Sequence, residues 1–378
     1  MTTTQDAVAR EQQDLADFRR SVRSFLAAHG DPDRVPDFGT DRDVSAVAAT
    51  WRRGCAELGL AGLGVPEAFG GDGAALAYQV IAWEEAGRVV SPLPLTTTAL
   101  AIALLLATDD LEGQEAWLPG IARGDTIVVP ALQERAHDWS LDLLDTRAEK
   151  RDGGWRLEGA KDWVVDLDVA DVVLVWAGTD DGPGLFAVEA SAPGLRRETV
   201  PSLDPTRGLG RLELSGAPAQ PVGRPGAISA EPALLVGALA LAAEQLGVAS
   251  RALESAVAYA TERTQFGRPI GSFQAIKHLL ADRYVEVEAL SASVHQTARA
   301  TDAGDPRARL LTHLCQAVGS DVALAAAGAS VQVHGGLGFT WEHTAQLFFK
   351  RATFDRQWLG TPDHHRERIA RLTLDSNE

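Results

Sequence analysis

The densest set of ligand-binding side chains lies in ERTQFGRPIGSFQAIKHLLADRY, residues 262–284. Arg263, Arg268 and Lys277 surround a turn marked by Gly267, Pro269 and Gly271. Arginine presents a planar fork of donors matched to phosphate oxygens, Gln265 and Gln274 add neutral polar partners, and Phe266 offers a flat face for a ring. Such a set suits a nucleotide diphosphate. The competing reading is that Arg263 and Arg268 cap a helix C-terminus, as basic residues commonly do. A second segment, VQVHGGLGFTWEH at 331–343, ends an apolar stretch in Gly335-Gly336, with Gly338 beyond. Paired glycines let a backbone pass close to a ligand or another chain, although a helix C-cap and turn would use them as well.

Three blocks of sequence must position these segments. From about Gln5 to Arg123 the apolar spacing is helical, as in Leu15, Phe18, Val22, Phe25 and Leu26, and again over Trp51 to Leu60, Ala77 to Arg88 and Thr97 to Ala107. Between Thr126 and Gly223 short β-prone runs take over, such as IVVPAL, WRLEG, VVLVW and GLFAVE, broken by Gly, Asp and Pro; this predicts a small antiparallel β-domain. From Glu231 onward Leu235, Leu239, Ala242, Leu246, Ala249, Leu253, Ala256 and Ala260 form a bundle seam, followed by helices predicted near Ser272 to Asp302 and Pro306 to Val333. The fold class is therefore α+β, with domains expected at 1–124, 125–226 and 227–378.

Both glycine-bearing segments resemble the C-terminal signature of the acyl-CoA dehydrogenase family, and LGVPEAFGGDG with WEEAGR, between Leu63 and Arg88, resembles its N-terminal helical domain. The resemblance covers nearly the whole chain. It implies a helical N-terminal domain, a middle β-domain and a C-terminal four-helix bundle, assembled as a dimer of dimers with FAD lying across a subunit interface. By position it implies that Arg263, Gln265, Phe266, Gln274, Gln332, Gly335 and Gly336 touch the pyrophosphate and adenosine of an FAD whose flavin sits in the neighbouring subunit.

The departures from the family pattern are as informative. A dehydrogenase of this family needs a carboxylate to take the α-proton of the acyl-CoA. The resemblance puts it either just before a Gly-Thr pair near the C-terminus or early in the first bundle helix. Here the first position is Leu359, in Trp358-Leu359-Gly360-Thr361, and the second falls at Gly237. Glu244 is the nearest acid, on the same helical face but roughly 10 Å further along the axis; it reads either as an unconventional base or as an interhelical polar contact. The family's flavin-contacting Thr-Glu-Pro and Gly-Ser-Asp segments correspond to Leu132-Gln133-Glu134-Arg135 with no Gly-Ser-Asp after it. Its Trp-Ile-Thr element survives as Trp163-Val164-Val165, where Trp163 meets a ring or packs in the core.

Both base positions and both flavin loops are altered while every distal FAD position persists. This resembles the non-base subunit of heteromeric acyl-CoA dehydrogenases of bacterial steroid side-chain catabolism, which implies an α2β2 tetramer holding two FADs, an acyl-CoA substrate and electron-transferring flavoprotein as acceptor. Two alternatives stand beside it: a homotetrameric enzyme using Glu244 or doing non-redox chemistry, and a non-catalytic scaffold.

Composition bounds the remaining classes. With 378 residues the chain exceeds the roughly 250–300 at which a single core stops growing. A net charge of -17 repels nucleic acid and anionic membrane. The start lacks a signal-peptide pattern, and the purest apolar run, Ala233 to Ala243, falls short of the roughly 20 residues of a membrane span. The histidines form no zinc spacing, and Cys55 and Cys315 are expected to be free thiols in the cytoplasm.

Overall fold

The computed structural model describes residues 4–30, 42–135, 139, 141, 143–151 and 153–374. Helices α1 (Thr4–His29), α2 (Val44–Leu58), α3 (Leu76–Arg88), α4 (Leu95–Leu106) and α5 (Leu111–Ala122) come first. Strands β1 (Val128–Ala131), β2 (Arg147–Arg151), β3 (Gly154–Val165), β4 (Val172–Thr179), β5 (Gly182–Glu189), β6 (Leu195–Thr199) and β7 (Leu209–Val222) follow. The chain then forms α6 (Glu231–Glu262), a hairpin of β8 (Thr264–Gln265) and β9 (Arg268–Pro269), and α7 (Gln274–Asp302). The last helices are α8 (Ala308–His334), α9 (Ala345–Asp355) and α10 (Pro362–Leu374). The helix, β-domain, helix order is the expected one. By contact the chain forms two compact units: α2, α4, α5 and β1 to β7 in one, and α1, α3, α6 from Ala238, β8, β9 and α7 to α10 in the other.

In the β-containing unit the strands pair β4-β5-β7-β3-β2 and return to β4, so the sheet closes on itself as a small barrel. Its hairpins are antiparallel as the short runs predict; β1 adds in parallel to β4, through Val128 opposite Val172 and Ala131 opposite Val175. β4 is buried along nearly its whole length, which is why VVLVW reads as an unbroken apolar run instead of an alternating one.

In the helical unit, Gln245 Nε2 of α6 donates to Ser320 Oγ of α8 at 3.0 Å, and fourteen residues later on each helix Tyr259 stacks on His334 with ring centroids 4.4 Å apart. The two helices therefore run parallel. α7 returns antiparallel between their ends, with Thr297 Oγ1 3.1 Å from Cys315 Sγ. α3 crosses α6 at close range: a Cβ on Gly87 would meet Glu244 O at 2.0 Å, and one on Gly247 would meet Glu84 O at 1.9 Å, so both glycines in this crossing are required by packing. Arg19 and Arg23 of α1 then pair with Glu84 and Glu85 of α3. Burial acts to raise the Glu84 carboxyl, but hydrogen bonds from His295 and Arg19 outweigh it and hold it at about 2.

Two helical stretches, Glu231–Glu262 and Ala308–Phe339, are long and apolar enough to cross a membrane, although each contains no apolar run of that length. Of their most apolar windows, 78% and 67% is buried inside the protein. Their apolarity is that of helices with most of their surface in the core. Cys55 and Cys315 are buried free thiols.

Candidate functional site

The two glycine-bearing segments meet at one end of the bundle. Because α6 and α8 are parallel, the hairpin that follows α6 and the turn that follows α8 leave the same end, and the Tyr259–His334 stack ties them together one turn before Arg263 and one residue before Gly335. His343 extends this stack, its ring 4.1 Å from that of His334. Sequence reasoning missed these three rings; their signal was only that they flank the glycine and arginine positions.

In the hairpin Thr264 faces Pro269 and Gln265 faces Arg268, leaving Phe266 and Gly267 as the two-residue loop. Both have positive φ, 53° and 75°, as a type I′ turn requires. Asn-Gly is the usual choice there. Phenylalanine in the left-handed region is disfavoured, and this one is 92% exposed, its ring edge-to-face with that of Phe273 at 6.0 Å between centroids. No contact among the described residues explains a strained, exposed aromatic at that tip. Arg263 is exposed at the end of α6, and neither its guanidinium nor that of Arg268 caps a helix carbonyl among the described residues; Ile270 N bonds to the Arg263 carbonyl at 2.8 Å instead. Gln274 opens α7, whose first turn carries no side-chain cap. Its free N–H groups form an anion-favouring terminus.

Gln332 is exposed in the last turn of α8, and the Gly335 N–H closes that helix onto Gln332 O and Val331 O. Gly335 has φ 62° and ψ -138°, a conformation that glycine alone adopts comfortably, so the C-cap reading holds for it. Gly336 is different. Its φ is ordinary, and a Cβ there would meet nothing within 4 Å, so neither backbone nor packing in this chain demands glycine. Gly338, by contrast, is needed internally, since its Cβ would come 2.9 Å from Val331 O. Beyond the turn Phe339 and Trp341 are 78% and 66% exposed.

The positions expected for a base are closed. Leu359 is buried with φ 58°, next to Gly360 at φ 107°. Its carbonyl lies 3.2 Å from His365 Nε2, and His365 Nδ1 lies 2.9 Å from His313 Nδ1. A carbonyl only accepts, so a neutral His365 carries its proton on Nε2 and accepts at Nδ1 from the His313 Nδ1–H. Burial, then the neighbouring His313 and His364, pushes the His365 imidazolium down to about 3. Gly237 is buried in α6. Glu244 is not poised for catalysis: its carboxylate accepts from Arg351 Nη1, both side chains are buried, and Arg351 Nη2 also donates to Val90 O and Ser91 O at 3.2 Å. This is the interhelical polar contact.

The altered flavin loops are held by a second buried pair. Lys161 Nζ donates to Glu134 Oε1 at 2.5 Å and to Leu132 O at 3.3 Å, while Glu134 also accepts from the amides of Asp145 and Thr146. Burial pushes the Lys161 ammonium down to about 8 against the pull of Glu134. Asp162 N bonds to Gln133 O at 3.0 Å, which fixes the entry to Trp163. Trp163 has φ 52° and is 39% exposed, with the Arg135 guanidinium 5.8 Å from its ring centroid, so core packing does not describe it. The stretch where a Gly-Ser-Asp would follow lies largely outside the described residues.

Residues 225–374 match the family model for the acyl-CoA dehydrogenase C-terminal domain, and residues 12–125 match that for the N-terminal domain. The acyl-CoA dehydrogenase IpdE2 of Mycolicibacterium smegmatis is 33% identical over 367 residues, covering 96% of this chain and 98% of that protein. Among solved structures, a variant of the Tcur3481-Tcur3483 steroid ACAD superposes with a TM-score of 0.85 at 31% identity, covering 97% of this chain and 99% of that one. The ChsE4-ChsE5 complex from Mycobacterium tuberculosis gives 0.82 at 29% identity, over 98% and 97%. The chain belongs to the acyl-CoA dehydrogenase family.

Proposed function

We propose that this chain is the non-base subunit of a heteromeric, FAD-dependent acyl-CoA dehydrogenase, lending the distal half of an FAD site across a subunit interface. The reading rests on one observation above the others: Arg263, Gln265, Phe266, Gln274, Gln332, Gly335 and Gly336 converge on one exposed bundle end, with a strained Phe266 and a Gly336 that this chain's own packing does not explain. That end fits a dinucleotide. Arg263 and Gln265 would donate to pyrophosphate oxygens beside the uncapped start of α7, Phe266 would lie against a ring, and the bare backbone at Gly336 would admit close approach. Bound FAD would supply the acceptor for a hydride from the acyl β-carbon.

This chain offers no carboxylate for the α-proton at either expected position, with Leu359 buried and Gly237 lacking a side chain, and Glu244 is engaged by Arg351. The base and the flavin pocket would then come from another chain, in an α2β2 tetramer with two FADs, domain boundaries near residues 124 and 226, and electron-transferring flavoprotein as acceptor in the cytoplasm. Two solved relatives carry names that pair two different proteins, and one is called a steroid ACAD; this supports a heteromer acting on a bulky, steroid-like acyl-CoA.

The test is to tag this chain in its native cell, isolate the assembly it forms, and count chains and flavins by native mass spectrometry and absorbance. Two different subunits with two FADs per four chains is the expected result. A homotetramer of this chain with four flavins and acyl-CoA turnover would overturn the reading.

A further inference from the structure

The hairpin places a second arginine on the predicted cofactor face. Residues directly opposite in an antiparallel ladder project to the same face, as do residues two apart along a strand. Arg268 faces Gln265 across the turn, so these two share one face of the ribbon, and Arg263 immediately precedes β8, its carbonyl accepting the Ile270 N–H at 2.8 Å beside β9. Arg268 is also held in place. Its guanidinium carbon lies 4.1 Å from the centroid of Phe273, and Phe273 occupies the position immediately before the first turn of α7. A cation stacked on that ring stands beside helix N–H groups that no side chain satisfies. No ion pair or hydrogen bond engages the Arg268 side chain among the described residues, and the nearest acid in sequence, Glu262, pairs with neither arginine.

Resting on the reading above, we infer that Arg268 is a further pyrophosphate-binding residue. The diphosphate is bracketed by Arg263 from the end of α6 and Arg268 from β9, with Phe273 pre-ordering the second guanidinium so that less rotamer freedom is lost on binding. The stacking also explains why an arginine serves here better than a lysine, whose compact ammonium has no flat face to lay on the ring.

The experiment uses the intact native assembly stripped of flavin and titrated with ADP, the phosphate-bearing part of FAD that this half-site would hold, and with adenosine as a phosphate-free control. Arg268→Gln is expected to weaken ADP binding by about tenfold to a hundredfold, the range of a lost charge-assisted contact, and to leave adenosine unaffected. Arg268→Lys should fall between wild type and Arg268→Gln. Phe273→Leu should weaken ADP binding a few-fold by freeing the arginine. Thermal melting of each variant separates these effects from unfolding, and Arg268→Lys keeps the comparison informative if Arg268→Gln assembles poorly. If Arg268→Gln binds ADP like wild type while Arg263→Gln does not, the inference fails and the half-site reading stands. If neither substitution changes ADP affinity, the half-site reading itself fails.

Discussion

The bundle end and the buried interior of the same helical unit treat charge in opposite ways. At the bundle end Arg263 and Arg268 are exposed with no acidic partner among the described residues, beside an exposed Phe266 and an open Gly336. In the interior Arg351 and Glu244 are sealed together, and the arginine also donates to the backbone carbonyls of Val90 and Ser91. Arginine in the second setting is structural, because it neutralises a buried carboxylate. In the first it has no such duty, and its presence calls for a ligand or another chain. Identical residue types thus divide into scaffold and site by whether the fold already satisfies them.

The sharpest way to break that contrast is to truncate one arginine from each place. Arg351→Ala takes the guanidinium away from the buried Glu244 carboxylate and should lower unfolding stability by about 3–5 kcal/mol. Arg263→Ala should stay within about 0.5 kcal/mol of wild type. Urea midpoints at fixed protein concentration measure both. If Arg263→Ala is as destabilising as Arg351→Ala, the arginine is a structural cap and the site loses its main cation.

A second contrast lies in pH. His365 has a folded-state value of about 3 against an ordinary 6.5, so between those values the unfolded chain holds a proton that the folded chain refuses. Its contribution to stability is complete above about 6.5 and is lost as pH falls toward 3. The groups facing it are His313 from α8, His364 and Arg368 from α10, and the Leu359 carbonyl. Hydrogen bonds hold the Glu84 carboxyl of α3 at about 2, so it stays ionised over the interval from 6.5 to 5 and the comparison of wild type with His365→Gln there reads the histidine. There the wild-type chain should lose about 1–2 kcal/mol, and His365→Gln, which keeps a donor for Leu359, should lose much less. Equal slopes for the two proteins would mean that His365 titrates normally and that the loop at Leu359 is looser than its hydrogen bonds imply.

Much of this organisation was legible in the residues. The seam from Leu235 to Ala260 is apolar at three- and four-residue steps and became α6, and the helices predicted near Ser272 to Asp302 and Pro306 to Val333 formed as Gln274–Asp302 and Ala308–His334. Local spacing suffices when a helix buries one face along its whole length. The parallel addition of β1 to β4 was not legible, since the short runs carry no sign of strand direction. Nor was the partner of Glu244, because Arg351 lies 107 residues away in a helix whose pattern gives no hint of burial. Trp163 went from a choice of readings to an exposed ring at a positive φ, inside a break in the β3–β7 register that alternation along β3 cannot foresee.

The smallest expected effect on stability tests the contrast most directly, because it concerns two adjacent glycines. Gly335 needs its backbone conformation and Gly336 does not. Gly335→Ala should therefore destabilise the isolated chain by on the order of 1 kcal/mol, the size of a strained left-handed residue. Gly336→Ala adds a methyl group into open space and should leave the melting temperature of the isolated chain unchanged. If the backbone there is bare so that a dinucleotide can approach, the same methyl should weaken ADP binding to the assembly by about tenfold, or 1.4 kcal/mol. Unchanged ADP affinity combined with a dissociated assembly would instead assign Gly336 to the contact with the neighbouring chain. Either outcome locates what this chain alone leaves unexplained, while unchanged affinity and assembly together would remove Gly336 from the site.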